Sequence, residues 1–113
     1  MNYARFAVAL LTVVFPATSG TITITSSAVN TTNDTGMPTI EILQHSAWSQ
    51  PFDGSAWLST QKSGDSSQAD FFEFANGTTI TFSHAFNLPD AATGGSISVR
   101  ADDTSSVSLN GVL

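Results

Sequence analysis

The alternation of apolar and polar residues over residues 79–88 constrains this chain more than any other feature. Successive side chains of a β-strand point to opposite faces, so this spacing gives the strand one apolar face and one polar face. After residue 19, no segment shows the 3.6-residue apolar period of an amphipathic helix. The sequence therefore predicts an all-β chain. The apolar face is predicted to hold Ile80, Phe82, His84, Phe86 and Leu88.

Residues 71–88 predict a hairpin that turns at Asn76-Gly77. A three-residue loop, 75–77 with Gly77 left-handed, would put Phe72 opposite Ile80 on the apolar face. A two-residue loop would put Phe72 on the threonine face. Because a slip of one residue moves every side chain to the other face, we expect the three-residue loop.

Residues 95–101 and 107–109 continue the alternation, and a second turn follows them. Both Asn110 and Gly111 tolerate positive φ, so they predict a hairpin turn with a returning strand. Only Val112 and Leu113 follow this turn. We therefore expect a fragment that stops inside an antiparallel β-sandwich, incomplete at the C-terminus. The side chains predicted to face inward are Ile97, Val99, Ala101, Val107 and Leu109.

The chain is acidic, with three Lys or Arg residues against nine Asp or Glu residues and a formal net charge of −6. A surface of this kind without a basic cluster argues against nucleic acid as a partner. The chain has no cysteine, so disulfides and thiol chemistry are excluded within it.

The N-terminal residues show the features of a secretory signal peptide in their usual order. Arg5 supplies a positive charge, residues 6–15 are mainly apolar, and Ala17 and Ser19 precede a cut before Gly20. The alternative is a buried first strand. Removal of residues 1–19 would give a secreted or cell-surface protein with no transmembrane segment. The remaining chain divides into a Thr/Ser-rich edge strand or linker (20–38) and the first part of a sandwich domain (39–113).

Several motifs together resemble the extracellular domain of PEP-CTERM-type bacterial secreted proteins. The resemblance covers roughly residues 45–112 and implies a galactose-binding-like jelly roll, of the kind also found as accessory sugar-binding domains of glycoside hydrolases. No second half of the sandwich and no C-terminal sorting motif are present in the sequence given. The motifs are Trp48 and Trp57 around a Pro-containing loop, residues 79–82, 86–89 and 95–99, Ala101-Asp102-Asp103-Thr104, and residues 107–111.

Trp48 and Trp57, with His45 nearby, are the candidate ligand-binding residues. Aromatic faces can stack on sugar rings, and the alternative is that both tryptophans pack in the core. His84 is expected to be a core residue rather than a catalytic one. Asp102 and Asp103 are calcium candidates, although a full site needs about 6–8 oxygen ligands and adjacent Asp residues also cap turns. No cofactor is expected.

Neither a catalytic triad, a zinc-ligand spacing nor a phosphate-binding loop is recognisable, so we expect no enzyme activity. The resemblance implies a module that binds carbohydrate or extracellular matrix. The alternatives are a structural surface module without a ligand and an accessory domain of a secreted glycoside hydrolase. An open sheet edge would also allow self-association.

Overall fold

The computed structural model describes residues 5–14, 21–88, 90–102 and 104–112, the first of these ranges as backbone. Every regular element within these ranges is a β-strand, and all strand pairs are antiparallel. The prediction of an all-β chain is therefore confirmed. The strands are β1 (Arg5–Val14), β2 (Thr21–Ile24), β3 (Thr32–Asn33), β4 (Ile40–Glu41), β5 (Trp57–Ser59), β6 (Phe82–Ser83) and β7 (Gly94–Asp102).

Strand β1 is the centre of a five-stranded sheet. Strand β7 pairs with β1 from Arg5↔Asp102 to Val14↔Gly94, with an irregularity between Ala7 and Leu10. Strands β2 and β5 pair with two separate parts of β1, and β4 pairs with β5. A strand has two edges, so β7 occupies one edge of β1 while β2 and β5 share the other.

The predicted export signal overlaps β1. The proposed cleavage position, from Ala17 to Gly20, lies outside the described residues, so the signal peptide stays a prediction. Strand β2 covers the alternating Thr-Ile stretch that follows it.

The hairpin predicted for residues 71–88 does not form as two paired strands, although its turn is present. Thr78 N donates to the Ala75 carbonyl at 3.1 Å, and Gly77 has a φ of 82°. Strand β6 pairs instead with β3, which lies far upstream. Asp34 and Thr81 exchange two further hydrogen bonds, so this stretch is held by residues 32–34 rather than by residues 71–75.

The prediction that Phe72 lies on the apolar face, opposite Ile80, is also wrong. Its ring is 42% exposed, whereas Phe74 is 8% exposed and meets the Phe72 ring edge-on at a centroid distance of 5.0 Å. The backbone NH of Phe72 donates to the Lys62 carbonyl at 3.0 Å. The backbone of this segment is therefore hydrogen-bonded to the loop before it rather than paired with β6.

The turn predicted at Asn110-Gly111 is confirmed. The φ angles of Asn110 and Gly111 are 51° and 78°, the two positive values that a type I′ turn requires. Leu109 and Val112 exchange both backbone hydrogen bonds, at 2.8 and 3.0 Å. A rigid two-residue hairpin therefore ends the described part of the chain.

The best-packed part of the described chain is β5 and the residues after it. Leu58, Ser59 and Ser63 have no exposed surface, and Trp57 is 4% exposed. The hydroxyl groups of Ser59 and Ser63 are hydrogen-bonded to each other at 2.9 Å, which satisfies polar groups that would otherwise be costly to bury. Both edges of β5 are paired, and this places its side chains in the core.

Candidate functional site

The segment 44–48 forms a compact turn that fixes the position of one tryptophan. Trp48 N donates to the His45 carbonyl at 3.0 Å, and Ala47 N donates to His45 Nδ1 at 3.0 Å. The Gln44 side chain adds a hydrogen bond to the Trp48 carbonyl at 2.7 Å. These bonds hold the backbone at Trp48 on both sides and so limit the directions that its ring can take.

The structure brings His45, Trp48 and Trp57 together, and these are the candidate ligand-binding residues of the sequence. The rings of Trp48 and Trp57 are tilted at 41° with their centroids 4.5 Å apart. The His45 ring lies 5.7 Å from that of Trp48. Trp57 is buried, whereas Trp48 and His45 are half-buried. We call these three residues the aromatic cluster. Its accessible surface belongs to Trp48 and His45, with Trp57 as their support.

The inner member of the aromatic cluster carries an unusual polar atom. Trp57 Nε1 is buried and has no hydrogen-bond partner within the described part of the chain. The same holds for the Ser55 hydroxyl, two residues earlier. A buried donor without an acceptor costs about 1–3 kcal/mol. The buried polar atoms of Trp57 and Ser55 are therefore less well satisfied than the hydroxyl groups of Ser59 and Ser63.

The loop between the two tryptophans contains a turn and is held by Ser26 and Arg100. Gly54 has a φ of 75°, and Ser55 N donates to the Phe52 carbonyl at 2.8 Å, so the chain turns at Asp53-Gly54. Ser26 Oγ donates to the Ala56 carbonyl at 2.8 Å and accepts from Ala56 N at 3.1 Å.

A further contact to this loop comes from β7, the strand on the other edge of β1. The Arg100 guanidinium lies 4.1 Å from the centroid of the Phe52 ring, an arrangement of the cation–π type. The pairs Ala7↔Arg100 and Ala7↔Trp57 place these two residues at one level of the sheet. Arg100 therefore positions the loop that leads to Trp57. The sequence alone gives Arg100 no role, because Arg100 and Phe52 are far apart in the chain.

An acidic side chain lies near the aromatic cluster. The pKa of Asp65 is lowered, first because the Ser67 hydroxyl and backbone NH donate to its carboxylate and last because of the charge of His45. The two hydrogen bonds measure 2.6 and 2.9 Å. Asp65 is therefore ionised across the neutral pH range.

The other candidates lie elsewhere. Asp102 is the last residue of β7 and is half-buried, whereas Asp103 is outside the described residues. Within the described ranges, no three His, Asp or Glu residues are grouped as metal ligands. His84 is half-buried and lines a cavity of about 770 Å³.

This cavity is open and mainly apolar, and we call it the apolar groove. The residues that line it include Phe82, His84, Phe86, Leu88, Ile97, Val107, Leu109 and Val112. Among the described residues that line it, none is Asp, Glu, Lys or Arg. Ile97 and Leu109 are 50% and 53% exposed, so the prediction that they are buried is wrong although both face the groove.

Comparisons of the chain with protein-family models, with curated proteins and with solved structures find no match. Across the described residues, there is no helix of the length and apolar character that spanning a bilayer requires.

Proposed function

We propose that this chain is a non-catalytic extracellular β-sandwich module that binds carbohydrate through the aromatic cluster. The observation that carries the proposal is the Trp48 ring, half-buried and supported from behind by Trp57 at 4.5 Å. A rigid aromatic ring with one accessible side binds at a low cost in side-chain entropy, because little rotamer freedom remains to be lost.

Polar groups beside the ring suit a ligand that carries hydroxyl groups. His45 lies next to Trp48, with the two ring centroids 5.7 Å apart. Sugar hydroxyls donate and accept hydrogen bonds, so an imidazole next to a stacking surface is a chemical complement to them. No metal and no cofactor take part in this proposal.

The sequence supports the extracellular setting. The N-terminal order of charge, apolar run and small residues is that of an export signal, and residues 45–112 resemble the sandwich domain of PEP-CTERM-type proteins. On these grounds we include in the proposal a galactose-binding-like jelly-roll fold and a location at the cell surface or in the matrix.

A glycan array followed by calorimetry tests the proposal with the chain of 113 residues. We expect Trp48→Ala to abolish binding of the glycan selected on the array and Trp48→Phe to retain part of it. Phe72→Ala is the control, because Phe72 is another exposed aromatic residue outside the aromatic cluster. Binding to no glycan, or equal affinities for Trp48→Ala and the unchanged chain, would refute the proposal.

The second candidate is a structural surface module without a small ligand, and the apolar groove favours it. An exposed apolar surface of this kind marks interaction with another macromolecule more often than with a sugar. The third possibility, an accessory domain of a secreted glycoside hydrolase, shares the carbohydrate site and differs only in the catalytic unit joined to it.

A further inference from the structure

We propose that Asn76 is a site of spontaneous deamidation, and that the turn conformation at Asn110 slows the same reaction there. Both asparagines are followed by glycine, and no other asparagine of the chain is. Glycine has no side chain to shield its backbone nitrogen, so that nitrogen readily reaches the side chain of the asparagine before it. Neither turn contains a residue of the aromatic cluster, so the reaction is independent of the proposed carbohydrate site.

The reaction needs only the chain and water, because asparagine is itself a thermolabile residue. The backbone nitrogen of Gly77 gives up its proton and attacks Cγ of Asn76, so that a new N–Cγ bond closes an imide ring. The Cγ–Nδ2 bond breaks, and the side-chain nitrogen leaves as ammonia with the proton that Gly77 released. Water then opens the imide at either carbonyl, which gives aspartate or isoaspartate in place of Asn76.

The two Asn-Gly dipeptides are equally open to solvent. Asn76, Gly77, Asn110 and Gly111 are all exposed. A Cβ atom at either glycine would meet no atom of the described chain within 4 Å beyond its two chain neighbours. Water and the attacking nitrogen are therefore accessible in both turns, and exposure alone would predict equal rates.

The backbone conformation is what distinguishes the two turns. Asn76 has a negative φ and Gly77 has a φ of 82°, and these are the signs of φ at the centre of a type II turn. Asn110 has a φ of 51° and lies in the type I′ turn, where both central residues have a positive φ. The chain thus holds the same dipeptide in two conformations.

Ring closure requires rotation about ψ of the asparagine until the following nitrogen faces Cγ. From the negative φ of Asn76, this rotation runs along the border of the broad β region, which is open to most residues. From the positive φ of Asn110, the same rotation enters backbone space that is essentially open to glycine alone. Asn110 avoids this space only by leaving its hairpin, and that breaks the two backbone hydrogen bonds between Leu109 and Val112.

The turn at Asn76 can change without disturbing a sheet. Strand β6 pairs with β3 rather than with the residues before this turn. The turn is closed by Thr78, whose backbone NH and hydroxyl both donate to the Ala75 carbonyl, at 3.1 and 2.7 Å. Isoaspartate adds a methylene to the backbone and misaligns these bonds, and the new carboxylate adds a negative charge to a chain of formal net charge −6. The modification therefore alters one exposed turn and leaves the strand pairing in place.

Incubation of the chain of 113 residues in neutral buffer, followed by peptide mapping with mass spectrometry, tests the proposal. We expect Asn76 to be the main site of conversion and Asn110 to react on the order of tenfold more slowly. Labelling by an isoaspartyl methyltransferase identifies the isoaspartate product. Incubation in concentrated urea is the matched control, because both dipeptides then lose their turns and their rates should become similar.

Asn76→Gln is the variant, since the longer side chain closes the corresponding ring far more slowly. It should remove the main site and leave the slow conversion at Asn110 unchanged. The comparison of the two sites in the unchanged chain, shown to be folded by circular dichroism, does not depend on this variant. Equal rates at Asn76 and Asn110 in neutral buffer would overturn the proposal, and so would a difference that persists in urea. Conversion at Asn76 no faster than at Asn87, which precedes Leu88, would overturn it as well.

Discussion

Two parts of this molecule, residues 57–60 and residues 80–88, differ in how completely they are covered. Residues 57–60 are all buried, with both edges of β5 paired and the 62–72 loop packed beside them. Residues 80–88 alternate regularly, yet their apolar side chains are only half-buried. The difference teaches that alternation determines which side chains share a face, whereas neighbouring segments determine whether that face is covered.

The largest expected effect compares one leucine from each part. Leu58→Ala should lower the free energy of unfolding by about 2–5 kcal/mol, because Leu58 has no exposed surface and its removal leaves a cavity. Leu109→Ala should cost less than about 1 kcal/mol, since that side chain is 53% exposed. Urea titration at low protein concentration measures both. Equal losses would break the comparison.

A pair of glycines gives the next largest effect. A Cβ atom at Gly64 would lie 1.8 Å from the Leu43 carbonyl oxygen, so the backbone must move to accept one. Gly64→Ala should therefore cost about 1–3 kcal/mol. A Cβ atom at Gly94, beside the apolar groove, meets nothing within 4 Å. Gly94→Ala should change the free energy of unfolding by less than about 0.5 kcal/mol. If thermal melts show the two variants equally stable, the close packing at Gly64 is refuted.

The smallest effect concerns an exposed ion pair in the loop that covers β5. The Lys62 ammonium hydrogen-bonds to the Asp70 carboxylate, and this lowers the pKa of Asp70 below its usual value of 3.8. Because the pKa of Asp70 is lower in the folded state than in the unfolded state, the ion pair contributes its full stabilisation at pH values above the unfolded-state pKa. This stabilisation is lost as the pH falls through the folded-state pKa. Asp70→Asn should therefore reduce the melting temperature slightly at pH 7, and the difference should vanish in acid.

Both partners of this pair are more than half exposed, so salt should also reduce the difference. Asp90→Asn is the control, because it removes the same charge from an exposed position outside the pair. A loss at pH 7 that persists in acid and in high salt would show that Asp70 acts through packing instead.

Local sequence signals predicted local structure well. The turn at Asn110-Gly111 follows from the tolerance of both residues for positive φ, and the strand β7 follows from its alternation. The pairing of β6 with β3 could not be predicted, because it is held by hydrogen bonds between Asp34 and Thr81, which are 47 residues apart. Short-range patterns carry no information on which distant segment supplies a partner.

The same distinction applies to the aromatic cluster. The sequence singled out His45, Trp48 and Trp57 because large aromatic residues around a loop are conspicuous. It could not assign their depths, which arise from the pairing of β5 with two neighbours. Nor could it show that Arg100 packs on Phe52, because this contact exists only once β1 separates β5 from β7.

The central position of β1 has a consequence for maturation. The ten residues of this strand lie within the segment that a signal peptidase would release with the leader. Their release would leave β7 facing β2 and β5 across a slot about 10 Å wide, twice the spacing of neighbouring strands. The strands would then have to close the slot or accept a strand from another source. The N-terminal residue of the protein recovered from an exporting host, read by mass spectrometry, tests whether the sheet keeps its middle strand or is rebuilt without it.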